Sequence, residues 1–218
     1  MHGKFHRIND KPAIIVNWLA NFPDIFYIND IVARDVGSTT ELYAAVAGAG
    51  YRFASNPSQT FGASDQGLYK STDNGATWNR ISILESNNTP SNPNDLEIDI
   101  NNNVWMTTTS SSFGPSGGKI FRSTDGNNFT LMHTVSNARR TELEVSANDA
   151  DKLWVAADVN GQADLFITTD AFATITQLNE PDDADDGISA TDYTRGQAFY
   201  DLPIEADIDD RLYVGGID

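Results

Sequence analysis

Gly67-Leu68-Tyr69-Lys70-Ser71-Thr72-Asp73-Asn74-Gly75-Ala76-Thr77-Trp78 is the stretch that decides how this chain folds. A short strand-like run, a cluster of turn formers and an aromatic in succession are the marks of a β-hairpin. Two further copies follow, Ile120-Phe121-Arg122-Ser123-Thr124-Asp125-Gly126-Asn127-Asn128-Phe129 and Leu165-Phe166-Ile167-Thr168-Thr169-Asp170. A tight hairpin leaves backbone N–H groups unpaired, and a short carboxylate such as Asp73 accepts from them, with the Ser71 hydroxyl adding a bond. Gly75 supplies a positive φ without steric cost. Trp78 opens the next strand and ties its ring to the sheet. The second copy sets Gly126 directly after Asp125, with Phe129 in the tryptophan position, one residue shorter. The third keeps Thr168 and Asp170 but has Phe172 and Ile175 where Gly and Trp are expected. All these residues are therefore expected to hold turns rather than substrate.

Aligning Asp73, Asp125 and Asp170 brings the rest of the chain into register. An aromatic lies four residues before each (Tyr69, Phe121, Phe166) and an aliphatic five before (Leu68, Ile120, Leu165). Further upstream an aliphatic-aromatic pair opens a strand: Leu42-Tyr43, Val104-Trp105, Leu153-Trp154 and Leu212-Tyr213. Another strand precedes it, at Leu96-Glu97-Ile98, Leu143-Glu144-Val145 and Leu202-Pro203-Ile204. A fourth follows the turn, from Trp78 to Leu84, Phe129 to Val135 and Ala173 to Leu178. Four short strands per unit, with 52 residues from Asp73 to Asp125 and 45 from Asp125 to Asp170, match the blades of a β-propeller. The expected fold is all-β, with antiparallel blades at 25–84, 95–135 and 142–178 and a partial blade at 199–218. A preceding blade's last strand is expected at 3–9, where Phe5-His6-Arg7-Ile8-Asn9 parallels Trp78-Asn79-Arg80-Ile81-Ser82. Such an incomplete ring leaves bare strand edges. A piece of a longer propeller is expected, or a partial ring that self-associates through its open edges.

The pattern Ser-x-Asp-x-Gly-x-Thr-Trp at Ser71 to Trp78 resembles the Asp-box, or BNR, repeat of sialidase-superfamily and sortilin-like (VPS10-like) propellers of secreted bacterial proteins. The resemblance implies that the turns lie at the blade periphery and that ligands are met by the loops between second and third strands and between blades. Those loops carry Tyr51, Arg52, Phe53, Phe61, Phe113, Tyr193 and Arg195, aromatic and basic side chains suited to a sugar ring or a peptide. An extracellular or cell-surface location is likewise implied by the resemblance.

Charge narrows the partners. With 31 acidic residues against 14 basic, the net charge is −17. That excess repels nucleic-acid phosphates and anionic headgroups, so neither nucleic acid nor membrane insertion is expected. A peptide, protein or glycan is. There is no cysteine, hence neither disulfide nor thiolate metal site. His2, His6 and His133 lack metal-ligand spacing, and the run Asp182-Asp183-Ala184-Asp185-Asp186-Gly187 departs from an EF-hand loop at its third position. No metal and no cofactor are expected.

Chemistry has little support in the residues. Phe5-His6-Arg7-Ile8-Asn9 matches the sialidase Phe/Tyr-Arg-Ile-Pro signature poorly. Ala33-Arg34-Asp35-Val36-Gly37 faintly resembles the stretch around a catalytic aspartate in xyloglucan-cleaving propellers, which makes Asp35 the one catalytic candidate. The first reading is a non-catalytic binding or scaffolding module for peptide or glycan. The alternative is a lobe of a glycoside hydrolase with its carboxylates on the loop face; two carboxylates paired across that face would favour it.

Overall fold

The computed structural model describes residues 27–47, 66–85, 88–111, 116–181 and 192–216. The segment 3–9 and the loop residues Tyr51, Arg52, Phe53, Phe61 and Phe113 lie outside them, as does the acidic run 182–187.

The described chain forms fourteen strands in three four-stranded antiparallel sheets and one two-stranded sheet. The first sheet is Tyr27–Asp35 (β1), Thr40–Ala47 (β2), Gly67–Ser71 (β3) and Asn79–Arg80 (β4). Pro93–Ile98 (β5), Val104–Thr108 (β6), Lys119–Ser123 (β7) and Thr130–Thr134 (β8) form the second. The third is Ala138–Val145 (β9), Leu153–Val159 (β10), Gln162–Thr168 (β11) and Thr176–Gln177 (β12). Ile204–Ala206 (β13) pairs with Leu212–Val214 (β14). The inner strand starts at Ile204 rather than Leu202, because Pro203 cannot donate to a ladder.

Each sheet runs in chain order from its first strand outward, and β1 packs beside β5, β5 beside β9, and β9 beside β13. Sheets stacked face to face with their first strands gathered on one line are blades of a β-propeller. The apolar contacts lie between blades. Tyr43, Ala45 and Leu68 of the first meet Leu96, Val104, Met106 and Phe121 of the second. Trp105 and Ile120 meet Leu143, Leu153, Val155 and Phe172. Ala156, Ala163 and Leu165 meet Tyr193, Ala198 and Leu202. A second strand is thus covered on both faces, which is why it reads as an unbroken apolar run, as in Leu153-Trp154-Val155-Ala156-Ala157. Fully burying one large side chain of this kind contributes roughly 1.5–3 kcal/mol.

The three Ser/Thr-x-Asp turns share one hydrogen-bond pattern. Ser71 Oγ donates to Asp73 Oδ1 (2.8 Å), and Gly75 N donates to Ser71 Oγ (2.9 Å). Thr77 closes the loop, donating from N to Asp73 Oδ1 (2.8 Å) and from Oγ1 to Oδ2 (2.6 Å). Trp78 Nε1 donates to Gly75 O (3.1 Å). In the shorter second turn the N–H groups of Asn127 and Asn128 both reach Asp125 Oδ1 at 2.8 Å, and Gly126 N reaches Ser123 Oγ at 2.8 Å. Phe129, in the tryptophan position, is partly buried against the core between the first two blades. Thr174 repeats the role of Thr77 around Asp170, and Thr168 that of Ser71. Bonds from Thr77 hold the Asp73 carboxyl down to about 2, and the Asn128 and Thr174 amides lower Asp125 and Asp170 in the same way.

Packing explains the sequence drift between copies. Register places Tyr43, Trp105 and Trp154 at one position of successive second strands. Tyr43 Oη donates to Gly126 O of the next blade's turn (3.0 Å), whereas Trp105 meets Phe172 there, with ring centroids 5.7 Å apart. The third turn therefore carries a ring where its neighbour needs a glycine. It does so in the left-handed region, with Ala171 at φ 51° and Phe172 at φ 70°, against Asn74 at 56° and Gly75 at 81°. Ala171→Gly is expected to relieve that strain and raise stability by about 1 kcal/mol. Thermal unfolding checks it, and an unchanged or lower melting temperature would refute it.

Candidate functional site

The first strands line the axis, and most of their inward residues are acidic. Pairing of Ala33 with Leu42, Ile98 with Val104, Val145 with Leu153 and Ala206 with Leu212 aligns the four inner strands. Three residues before each alignment point stand Asp30, Asp95, Glu142 and Pro203; one residue before stand Val32, Glu97, Glu144 and Glu205. Two tiers of carboxylates result, Asp30, Asp95 and Glu142 above Glu97, Glu144 and Glu205. They border two adjoining crevices of ≈ 370 and ≈ 640 Å³. Among the described residues, Arg140 is the single basic residue lining both.

The upper tier is tied to the backbone. An inner strand has an unpaired edge, and its N–H groups need acceptors. Leu96 N of β5 donates to Asp30 Oδ2 (3.0 Å), and Leu143 N of β9 donates to Asp95 Oδ2 (2.7 Å). Each carboxylate thus clasps the following blade. Glu142 Oε1 instead accepts from Asn94 Nδ2 (3.0 Å) and from Arg140, whose Nη1 also reaches Phe199 O (3.4 Å).

Crowding of acids in a half-dry crevice favours their neutral forms. Burial pushes Asp95 well up, with Glu142 adding to it, and burial with Asp95 does the same to Glu97. Burial raises Asp30, and raises Glu142 despite Arg140. Burial and then Glu205 push Glu144 up to about 8.

Comparison with known proteins adds the following. No family model matches the chain. The xyloglucanase of Hypocrea jecorina (strain QM6a) is 35% identical over 105 residues, which take in 43% of this chain and 12% of that protein. The chain thus spans a small part of that relative's length. Among solved structures, the GH74 enzyme of Niastella koreensis is similar with a TM-score of 0.46 at 20% identity, over 67% of this chain and 22% of that one. YCF48 bound to D1 peptide has a TM-score of 0.43 at 14% identity, over 72% and 40%. A glycosyl hydrolase from Bacteroides ovatus has 0.44 at 12%, over 72% and 49%.

The residues singled out in the sequence fall elsewhere. Asp35 ends β1 at the turn into β2, where Oδ1 accepts from Gly37 N (2.8 Å) and its carbonyl from Asn102 Nδ2. Five residues along the strand separate it from Asp30, about 16 Å. It stands among the turn carbonyls at the far end of the blade, away from the axial carboxylates. Tyr193 is not an exposed loop ring: it is 6% exposed and packs between the third blade and β13–β14. Its ring packs with Ala156, Ala163, Leu165 and Leu202, so the turn that bears it faces the core rather than solvent. Arg195 is exposed, at φ 52° in a turn whose N–H bonds back to Asp192 O (3.3 Å).

Sequence reading passed over the axial acids, although the signal was present. Asp95-Leu96-Glu97-Ile98 and Glu142-Leu143-Glu144-Val145 alternate acid with aliphatic, so one face of an inner strand is acidic throughout. It also passed over Phe199 and Tyr200, exposed beside the crevice.

Proposed function

We propose that this chain is a sector of an Asp-box propeller that binds a neutral glycan of the β-glucan class along its axial crevice, without cleaving it. The observation that carries the reading is the crevice itself, which opens where inter-blade segments meet and is lined by carboxyl, amide and guanidinium groups. Polyol ligands need such a lining of donors and acceptors. The partial identity to a xyloglucanase supports the same ligand class. A binding rather than hydrolytic role is supported by the upper carboxylates, which are already engaged with the next blade's backbone or with Arg140. An extracellular or cell-surface location belongs to this reading, and protease accessibility on intact cells tests it.

One observation favours the hydrolase alternative. Burial and Glu205 push the Glu144 carboxyl up to about 8, the direction that a glycosidase general acid requires. A single experiment separates the two. Affinity electrophoresis in gels containing xyloglucan is expected to retard the chain, with no reducing ends released on prolonged incubation. Release of reducing ends that Glu144→Gln abolishes would replace the binding reading with the hydrolase one. Migration unaffected by any neutral glucan would overturn both.

A further inference from the structure

We infer that Phe199 and Tyr200 form a stacking platform for a neutral pyranose ring at the mouth of the axial crevice. The inference rests on the glycan-binding reading above and assigns the residues that grip the sugar. Phe199 is 59% exposed and Tyr200 52%, yet the segment that bears them is firmly held. Ala198 and Leu202, on either side, are fully buried. Tyr200 N and Asp201 N both donate to Gln197 O at 3.0 Å, and Arg140 Nη1 donates to Phe199 O. The two rings meet edge to face, with centroids 4.5 Å apart and planes at 75°.

Isolated exposed apolar residues are ordinary, but two adjacent rings fixed beside a polar crevice call for an occupant. Phe199 borders its upper part and Tyr200 its larger lower part. The volumes fall within the range of small-ligand sites. A pyranose suits the chemistry, because its C–H face lies on an aromatic ring while its hydroxyl edge reaches donors and acceptors. Here the edge would meet Glu142 and Asp95 as hydrogen-bond partners and the Arg140 guanidinium as donor. Burial keeps the carboxyls toward their neutral forms, which suits hydroxyl groups better than cations. Backbone bonds already hold the segment, so binding does not have to order the main chain that carries the rings.

Calorimetric titration of the full chain with cellohexaose and with xyloglucan oligosaccharides tests the platform. Phe199→Ala and Tyr200→Ala are each expected to weaken binding about tenfold, and the double variant to abolish measurable heat. Phe199→Trp should retain affinity, and melting temperatures should stay at the wild-type value because both rings are exposed. Binding should be the same at low and high salt. If the alanine variants bind as tightly as the wild type, the platform is wrong while the glycan reading stands. If the folded wild type ignores both sugars, or instead binds hexalysine with a steep salt dependence, the glycan reading falls and the platform with it.

Discussion

Gly126→Ala is expected to remove roughly 3–5 kcal/mol of stability, lowering the melting temperature by about 10–15 °C. Gly126 sits at φ 73° in the second Ser-x-Asp turn, a conformation that costs an L-residue about 1–2 kcal/mol. Steric crowding costs more than this backbone strain. A Cβ there would lie well inside van der Waals contact of Tyr43 Oη and Arg34 Nη1, and 2.9 Å from Glu41 Oε2. None of these groups can yield cheaply. Glu41 is bonded by Tyr43 Oη (2.6 Å), Arg34 Nη1 (3.2 Å) and Lys70 Nζ (2.6 Å). Arg34 also donates from Nε to Asn102 O and from Nη2 to Thr124 O, both at 2.8 Å, so the same network clamps the second blade to the first. Gly37→Ala is the control, with a similar φ of 86° and nothing within 4 Å of the added methyl. It should cost about 1 kcal/mol, the strain alone. Equal losses from the two substitutions in chemical denaturation would show that the inter-blade clamp is not rigid.

Stability is expected to peak near pH 4.5 and to fall as the pH is raised to 8.5. Glu144, Glu97, Asp95, Glu142 and Asp30 all have raised folded-state pKa values, so their contribution is full below the unfolded value and is lost as pH climbs through the folded one. For Glu144 that window runs from 4.5 to about 8. The turn carboxylates work in the opposite sense. Asp73, lowered to about 2, with Asp125, Asp170 and Asp207 also lowered, contributes above the unfolded value and is lost as the medium becomes strongly acidic. The two groups together leave a maximum between their windows. Glu144→Gln should stabilise the chain by about 4 kcal/mol at pH 8.5 and negligibly at pH 4.5, since a neutral amide mimics the protonated acid. Melting curves across pH for both proteins check this. A wild-type melting temperature that rises from pH 4.5 to 8.5 would refute it.

The hairpin turns were legible because their physics is local. Ser71, Asp73, Gly75 and Trp78 interact within eight residues, so their spacing alone announces the turn. Thr77 belongs to the same pattern and Thr174 stands at the equivalent place after Asp170; only the structure shows that each closes its turn with two bonds to the aspartate. The third copy looks degenerate in sequence because Phe172 replaces a glycine. That exchange makes sense only beside Trp105, which lies 67 positions earlier in the chain. Tyr193 reads as an exposed loop ring because the loop around it is polar, yet blade packing buries it.

By itself the sequence determined four-stranded repeats, their turns and their all-β character, since hydrogen-bond spacing and side-chain alternation act over a few residues. Only the tertiary structure decided where the acids go. Asp30, Asp95 and Glu142 are separated by dozens of residues and become neighbours because each inner strand presents an unpaired edge to the next. A carboxylate that satisfies such an edge also faces the axis, and this places the crevice, its raised pKa values and its aromatic rim in one region.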